Sequence, residues 1–193
     1  MYAFGALLAR MNYINRWGLM RNAREETLAE HAAMTAGIAC ILAHKAKEMF
    51  GADVNPDKVT CSALFHDAGE ILLGDLPTPV KYRNDEIKGA YKKLESESER
   101  RLIDTLPIEL RGEISPAISG ELLTKREKMI IKVADKLSAL VKCIEEEQSG
   151  NHEFESAKNS TFEMITADPL PETTYFLEHF LPGYSMTLDE LLR

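Results

Sequence analysis

Two capping boxes constrain this chain more than any other feature of its sequence. Thr27-Leu28-Ala29-Glu30 and Thr124-Lys125-Arg126-Glu127 each place a threonine three residues before a glutamate. In that spacing the hydroxyl and the carboxylate satisfy each other's free backbone N–H at a helix start. Behind the first box, Ile38, Ile41 and Leu42 continue an Ala-rich helix to about Phe50. Behind the second, Ile130, Val133, Leu137, Val141 and Ile144 form a core stripe at helical spacing. Asn55-Pro56-Asp57 opens a third helix, with a cap, a proline at the first position and an acid at the positive end. It is expected to carry Val59, Ala63 and His66 on one stripe and to end around Gly69.

The remaining segments read the same way. Phe4, Leu7, Leu8 and Met11 predict an opening amphipathic helix that runs out near Asn15-Arg16-Trp17-Gly18. Ile87, Tyr91, Leu94 and Leu102 predict a long exposed helix over 85–106, with Lys92-Lys93 and Glu95 to Glu99 on a solvated face. A short turn is expected at Pro107 to Arg111, then a polar connection, and Tyr175 to Phe180 reads as a final core helix. With almost no β pattern, the expected fold is all-α, a helical bundle forming one domain over 1–193.

Composition narrows the function classes. Hydrophobic residues are 45% and charged residues 28%, an ordinary globular balance. A net charge of −8 argues against a broad nucleic-acid surface, though not against a small phosphorylated ligand held by a few cations. Cys40, Cys61 and Cys143 lie far apart without metal-ligand spacing and read as reduced core residues. No window approaches a membrane span and no basic leader precedes an apolar run, so a cytoplasmic protein is expected.

The chemistry concentrates in Leu64-Phe65-His66-Asp67-Ala68-Gly69-Glu70. On a helix the i+4 spacing stacks His66 and Glu70, while Asp67 is turned by roughly 100° from His66. Imidazole and carboxylate together suit a divalent transition metal. Taken singly, His31 in a first helical turn reads as a partly buried side chain, and Asp135 at the border of its stripe as a surface carboxylate. Trp17, the only tryptophan, reads as an anchor for a helix end beside Arg16. Gly74-Asp75-Leu76-Pro77-Thr78-Pro79 reads as a loop, since two prolines and a glycine break regular structure, and it can line a pocket. His44, His152 and His179 have no acidic partner at ligand spacing and read as structural.

The order His31, His66-Asp67, Asp135 resembles the HD-domain superfamily of metal-dependent phosphohydrolases. The likeness extends through Ile14-Asn15-Arg16-Trp17, Met20-Arg21-Asn22, Glu30-His31, Phe65 to Glu70, Gly74 to Tyr82 and Lys132-Val133-Ala134-Asp135, all similar to the bacterial 5′-deoxynucleotidase family. Two departures are Ala29 and Ala32 flanking His31, and the segment Ser119 to Leu123, which lacks a histidine.

The resemblance implies that His31, His66, Asp67 and Asp135 bind one divalent cation, with cobalt or manganese favoured. It implies that Glu70 is the catalytic carboxylate and Asp75 a second acid that also touches substrate. Arg16 would orient the phosphate, Trp17 would pack on the nucleoside, and Leu76, Pro77 and Thr78 would shape the far wall. The implied reaction is hydrolysis of deoxynucleoside 5′-monophosphates by attack of a metal-activated water on phosphorus, and the implied assembly is a homodimer. Another nucleotide phosphate ester, or a non-catalytic nucleotide-sensing module, stays open on these residues. Retention of Glu70 and Asp75 speaks against the latter.

Overall fold

The computed structural model describes residues 1–81, 83–167 and 169–193, and of Thr78 the backbone alone. The chain runs through α1 (Phe4–Leu8), a 3-10 turn (Ala9–Tyr13), α2 (Leu28–Phe50), α3 (Pro56–Leu64), α4 (Glu70–Leu73), α5 (Thr78–Lys81), α6 (Asp85–Asp104), α7 (Ile108–Ser119), α8 (Lys125–Gln148), α9 (Glu155–Thr166), α10 (Pro171–His179) and α11 (Leu188–Leu191). Among the described residues there is no strand, only an isolated antiparallel bridge between Asn15 and Thr27. No described helix is long and apolar enough to cross a membrane.

Both capping boxes form. The hydroxyl of Thr27 accepts from the backbone of Glu30, that of Thr124 from Glu127, and each glutamate answers the cap. Behind them α2 and α8 pack together with α3 and α10. Ala36, Ala39, Ala43 and Ala46 keep the α2 surface low, so that Ile38, Leu42, Val59, Leu137, Leu140 and Phe176 fill the space between helices. Each such buried side chain contributes about 1.5–3 kcal/mol. A second cluster, with Met11, Leu28, Phe65, Ala68, Leu102 and Ile118, joins the first turn of α2 to α6 and α7. The seam between the clusters passes between Ala32 and Ala36 on α2, and again between Ala63 and Phe65.

Several expectations are corrected. The irregular stretch expected over 74–79 ends at Pro77, since Thr78 and Pro79 open the helix α5, where a proline in the first turn removes no helical hydrogen bond. α3 stops at Leu64, five residues short of Gly69. Residues 65–69 instead form tight i→i−3 turns, with Phe65 N–H donating to Ser62 O and His66 N–H to Ala63 O. The cause is local: His66 Nδ1 also donates to the Ala63 carbonyl at 2.8 Å, the acceptor a continuing α-helix would reserve for Asp67. His66 and Glu70 therefore do not stack on one helix face.

Pro107 to Ser119 is not a turn and a connection but the helix α7, its periodicity masked by Gly112 and Pro116. Leu94 is exposed; α6 turns Tyr91, Ser98 and Leu102 inward instead. Glu95 is not merely solvated, since it accepts from Lys81 Nζ at 2.8 Å. Cys61 is exposed rather than in the core, and all three cysteines are free. Trp17 sits in a loop at φ 60°, not at a helix end.

The loop carrying Trp17 is tied down from α8. The buried Glu146 carboxylate accepts from Ala23 N at 2.7 Å, Arg24 N at 3.2 Å, Asn151 Nδ2 at 2.6 Å and Lys142 Nζ. Burial works against its charge, but Lys142 and these donors outweigh burial and lower its pKa from 4.5 to about 2. A depressed carboxyl stabilises the fold fully above its unfolded pKa and loses that contribution as pH falls toward the folded value. The amount is on the order of 3 kcal/mol. Glu146→Ala should cost about 3–5 kcal/mol, because Lys142 is left buried without its partner. In urea unfolding, the wild type should lose more stability than Glu146→Gln between about pH 5 and 2.5. Parallel curves would remove Glu146 as the source.

Candidate active site

Four side chains of the kinds that can bind a metal, from three parts of the chain, meet at the seam. His31 in the first turn of α2 is fully buried. Its Nδ1 pairs with Ser138 Oγ at 3.0 Å, and its Nε2 lies 3.1 Å from Asp135 Oδ1 and 3.7 Å from Asp67 Oδ2. Asp135 and Ser138 are three residues apart on α8, so one face of that helix supplies both contacts. His66 arrives from the tight turns after α3. Because a carbonyl only accepts, the Ala63 contact fixes one proton on Nδ1 and aims Nε2 at the cluster. His66 Nε2 lies 3.1 Å from Asp67 Oδ2 and 3.8 Å from Asp135 Oδ1, yet it is buried without a hydrogen-bonded partner.

These residues fit a divalent cation. His31, His66 and Asp67 each offer a donor atom, all within 4.8 Å of one another. Metal bonds of about 2.0–2.2 Å set neighbouring ligand atoms about 3 Å apart, as the two shortest separations here are. The electrostatics agree. Burial opposes a proton on His66, but Asp67 and Asp135 raise its pKa to about 10. Burial lowers the pKa of His31, and the two histidines hold Asp135 well below the usual carboxylate range despite burial. A cluster this negative attracts positive charge, whether a proton on His66 or a divalent ion that would displace it and be held by two neutral imidazoles and two carboxylates.

Glu70 begins α4 and is 4% exposed, with Oε2 buried and unpartnered. Burial first, then the charges of Asp67 and Asp75, push its carboxyl up to about 8. Lys81 Nζ, 3.6 Å from Glu70 Oε1 and 2.8 Å from Glu95 Oε1, pulls the other way. Two glycines make this corner possible. Gly74 at φ 77°, ψ 163° occupies a region that side chains do not tolerate, turning the chain from α4 into the Asp75 loop. A Cβ on Gly69 would sit 3.2 Å from the Glu95 carbonyl oxygen, so α6 would have to give by a few tenths of an ångström just where Ser98 Oγ donates to Gly69 O at 2.6 Å.

A cavity of about 700 Å³ runs from Asp135 outward, lined by Arg16, Trp17, Asp75, Pro77 and Lys132 among others. Its outer wall is α9, through Ala157, Ser160 and Thr161, a helix too polar to stand out in sequence. Leu76 is half-buried but does not line this cavity, and the side chain of Thr78 lies outside the described residues. A smaller cavity of about 320 Å³ touches His66 and Asp135 from the α7 side. Trp17 pays for its left-handed backbone, about 1–2 kcal/mol for a residue with a side chain. Its indole packs on Phe154 at 5.2 Å, and Met20 N–H and Asn22 Nδ2 both donate to its carbonyl.

Sequence reasoning missed Ser138, Glu26 and Lys132 as site neighbours. For Ser138 a signal existed, since it stands at i+3 from Asp135. Glu26 had none, because its proximity to Arg16 and Trp17 depends on the folding back of the loop. His44, His152 and His179 lie apart from the cluster, as expected, among the described residues.

A family model described as 5′-deoxynucleotidase YfbR-like matches residues 3–184. The 5′-deoxynucleotidase of Vibrio cholerae is 43% identical over 97% of this chain and 97% of its own length. The 5′-deoxynucleotidase YfbR of Escherichia coli is 42% identical over 97% of this chain and 94% of its own. Among solved structures, an HD-domain phosphohydrolase from Listeria innocua aligns with a TM-score of 0.79 at 25% identity, covering 94% of this chain and 87% of that one. The HD phosphohydrolase DatZ of cyanophage S-2L, solved with dA and one catalytic Zn2+ ion, shares the fold at a TM-score of 0.67 and 19% identity, over 94% of this chain and 96% of that one. The resemblance carried by the His31, His66-Asp67 and Asp135 motifs is thus borne out along nearly the whole chain, which belongs to the 5′-deoxynucleotidase YfbR-like family.

Proposed function

We propose that this enzyme hydrolyses deoxynucleoside 5′-monophosphates to deoxynucleosides and phosphate, using one divalent cation held by His31, His66, Asp67 and Asp135. The observation that carries the reading is the unpartnered, buried Nε2 of His66, aimed with His31 Nε2 and two carboxylates at one point beside the 700 Å³ cavity. When bound, a divalent cation acidifies water and polarises a phosphoryl oxygen. The nitrogen and oxygen ligand set is compatible with cobalt or manganese.

The chain's own groups do the rest. Arg16 has Nε buried and unpartnered, a donor free to grip a phosphate oxygen in the planar manner of a guanidinium. Glu70 takes the proton of the attacking water as the O–P bond forms. As the P–O bond breaks, that proton passes to the departing 5′-oxygen by way of Asp75 on the cavity wall, and Glu70 is left ionised for the next turnover. Pro77 bounds the nucleoside side, with Leu76 before it in the loop and Thr78 after it at the start of α5. The same reading takes the working species as a single-domain homodimer in the cytoplasm, acting on a small molecule rather than on nucleic acid or membrane.

Chelator-treated protein should be inactive and recover with cobalt or manganese. His66→Ala and Asp67→Ala should each lose the ion by elemental analysis, since each removes a ligand. Full metal content and turnover in both variants would refute the ligand set.

Glu70→Ala should keep the ion and lose ~10²–10⁴-fold in kcat. As a base Glu70 must be ionised, so kcat/KM should rise with pH through an apparent pKa between its ordinary 4.5 and about 8. Lys81→Gln should move that limb upward, because Lys81 lowers the Glu70 pKa. A limb that does not move would detach it from Glu70.

The sugar supplies a separate check. A flat apolar indole against the sugar leaves a 2′-hydroxyl buried without a partner, at a cost of ~1–3 kcal/mol. That is roughly 5- to 150-fold in favour of dAMP over AMP. The preference should shrink in Trp17→Ala; equal kcat/KM for the two substrates in wild type would refute deoxy-selectivity.

A further inference from the structure

The Arg16 guanidinium and the Trp17 indole hang from one oxygen atom. Glu26, 7% exposed, accepts with Oε2 from Arg16 Nη1 at 3.0 Å and from Trp17 Nε1 at 2.9 Å. The main chain fixes the same register. Arg16 N–H donates to Glu26 O at 2.9 Å and Leu28 N–H to Ile14 O at 2.8 Å, on either side of the Asn15–Thr27 bridge. Glu26 does not line the cavity; Arg16 and Trp17 do.

We propose that Glu26 is a positioning residue that locks Arg16 and Trp17 into one unit, setting the distance between phosphate grip and sugar wall. This rests on the reading of Arg16 and Trp17 given above. Glu26 occupies Nη1 of the guanidinium, and Nε is the buried donor left without a partner. The carboxylate therefore determines which donors of the fork face a ligand. It also holds the indole by its one polar atom, while Phe154 supports the ring and the backbone of Trp17 sits at φ 60°. The guanidinium carbon lies 5.9 Å from the indole centroid, so a turn of either group is felt by the other. A charged acceptor serves this purpose better than a neutral one, because bonds to a carboxylate are shorter and stronger. Loss of Glu26 should therefore disturb phosphate binding and sugar selection together, whereas a purely structural residue would lower stability and active fraction without touching selectivity.

Trp17 is the only tryptophan of the chain, so its emission reports its own setting. The test uses full-length Glu26→Gln and Glu26→Ala beside Arg16→Ala, Trp17→Ala and the double variant Glu26→Ala/Arg16→Ala, with dAMP and AMP as substrates. Glu26→Ala is expected to shift Trp17 emission to longer wavelength and increase its quenching by acrylamide. It should lower kcat/KM for dAMP by about tenfold or more, mainly through KM, and reduce the dAMP-to-AMP ratio. Glu26→Gln, which keeps one acceptor and the same shape, should fall between wild type and Glu26→Ala. The double variant should lose little beyond Arg16→Ala, since groups acting as one unit are not additive. If Glu26→Ala does not fold, Glu26→Gln decides by the same measures. Unchanged emission and an unchanged ratio, or additive losses in the double variant, would overturn the proposal. If Arg16→Ala and Trp17→Ala are themselves silent in kinetics, the substrate roles of those residues fail instead, and the emission measurement still judges the hold of Glu26 on Trp17.

Discussion

A single hydrogen bond, from His66 Nδ1 to the Ala63 carbonyl, decides how this site is built. It selects the tautomer that leaves Nε2 free, and it takes the acceptor that α3 would need to continue. The chain then tightens into i→i−3 turns, which swing Asp67 toward His31 and deliver Glu70 into the first turn of α4. Phe65 and Ala68 on the same turns enter the second apolar cluster, so the departure from helix is compensated by burial. The ligand geometry and the division of the core into two clusters share this origin.

Charge is the second constraint. Asp67, Asp135, Glu70 and Asp75 converge in a chain that is already acidic overall. Such a concentration is costly unless cations are supplied, and the fold supplies them unevenly. Lys81 stands against Glu70 but is shared with Glu95, so Glu70 is only partly relieved and its carboxyl rises to about 8. Around the two histidines no lysine or arginine is paired with Asp67 or Asp135 among the described residues, and the carboxylates draw on imidazole. That imbalance makes the cluster negative enough to suit a divalent ion and keeps the Glu70 carboxyl above its ordinary range.

The part of the cavity wall formed by Arg16 and Trp17 is held by a chain of polar contacts that starts deep in the bundle. Lys142 and Glu146 on α8 grip the backbone of residues 23 and 24. That loop returns to pair with residues 14–16 and brings Glu26 beneath Arg16 and Trp17. Phe154, whose ring centroid lies 5.5 Å from Lys142 Nζ, supports the indole. A loop without regular structure is thereby tied at several points to the bundle.

The sequence by itself determined the helical class, the two capped helices α2 and α8, and the starts of α3 and α6, because caps, prolines and apolar spacing act within a few residues of one another. Through motif order it also reached His31, His66, Asp67 and Asp135. The end of α3 was hidden, since it depends on where the imidazole of His66 finds an acceptor. So were α7 and α9, whose periodicity is weakened by Gly112 and Pro116 or by polar residues. Only the tertiary structure decided that His31 and Asp135, 104 residues apart, lie 3.1 Å from each other. Only it could place Lys81 between Glu70 and Glu95, or Glu26 under Arg16 and Trp17. Those distances are fixed by how helices and returning loops pack, a property of the whole core that no local spacing encodes.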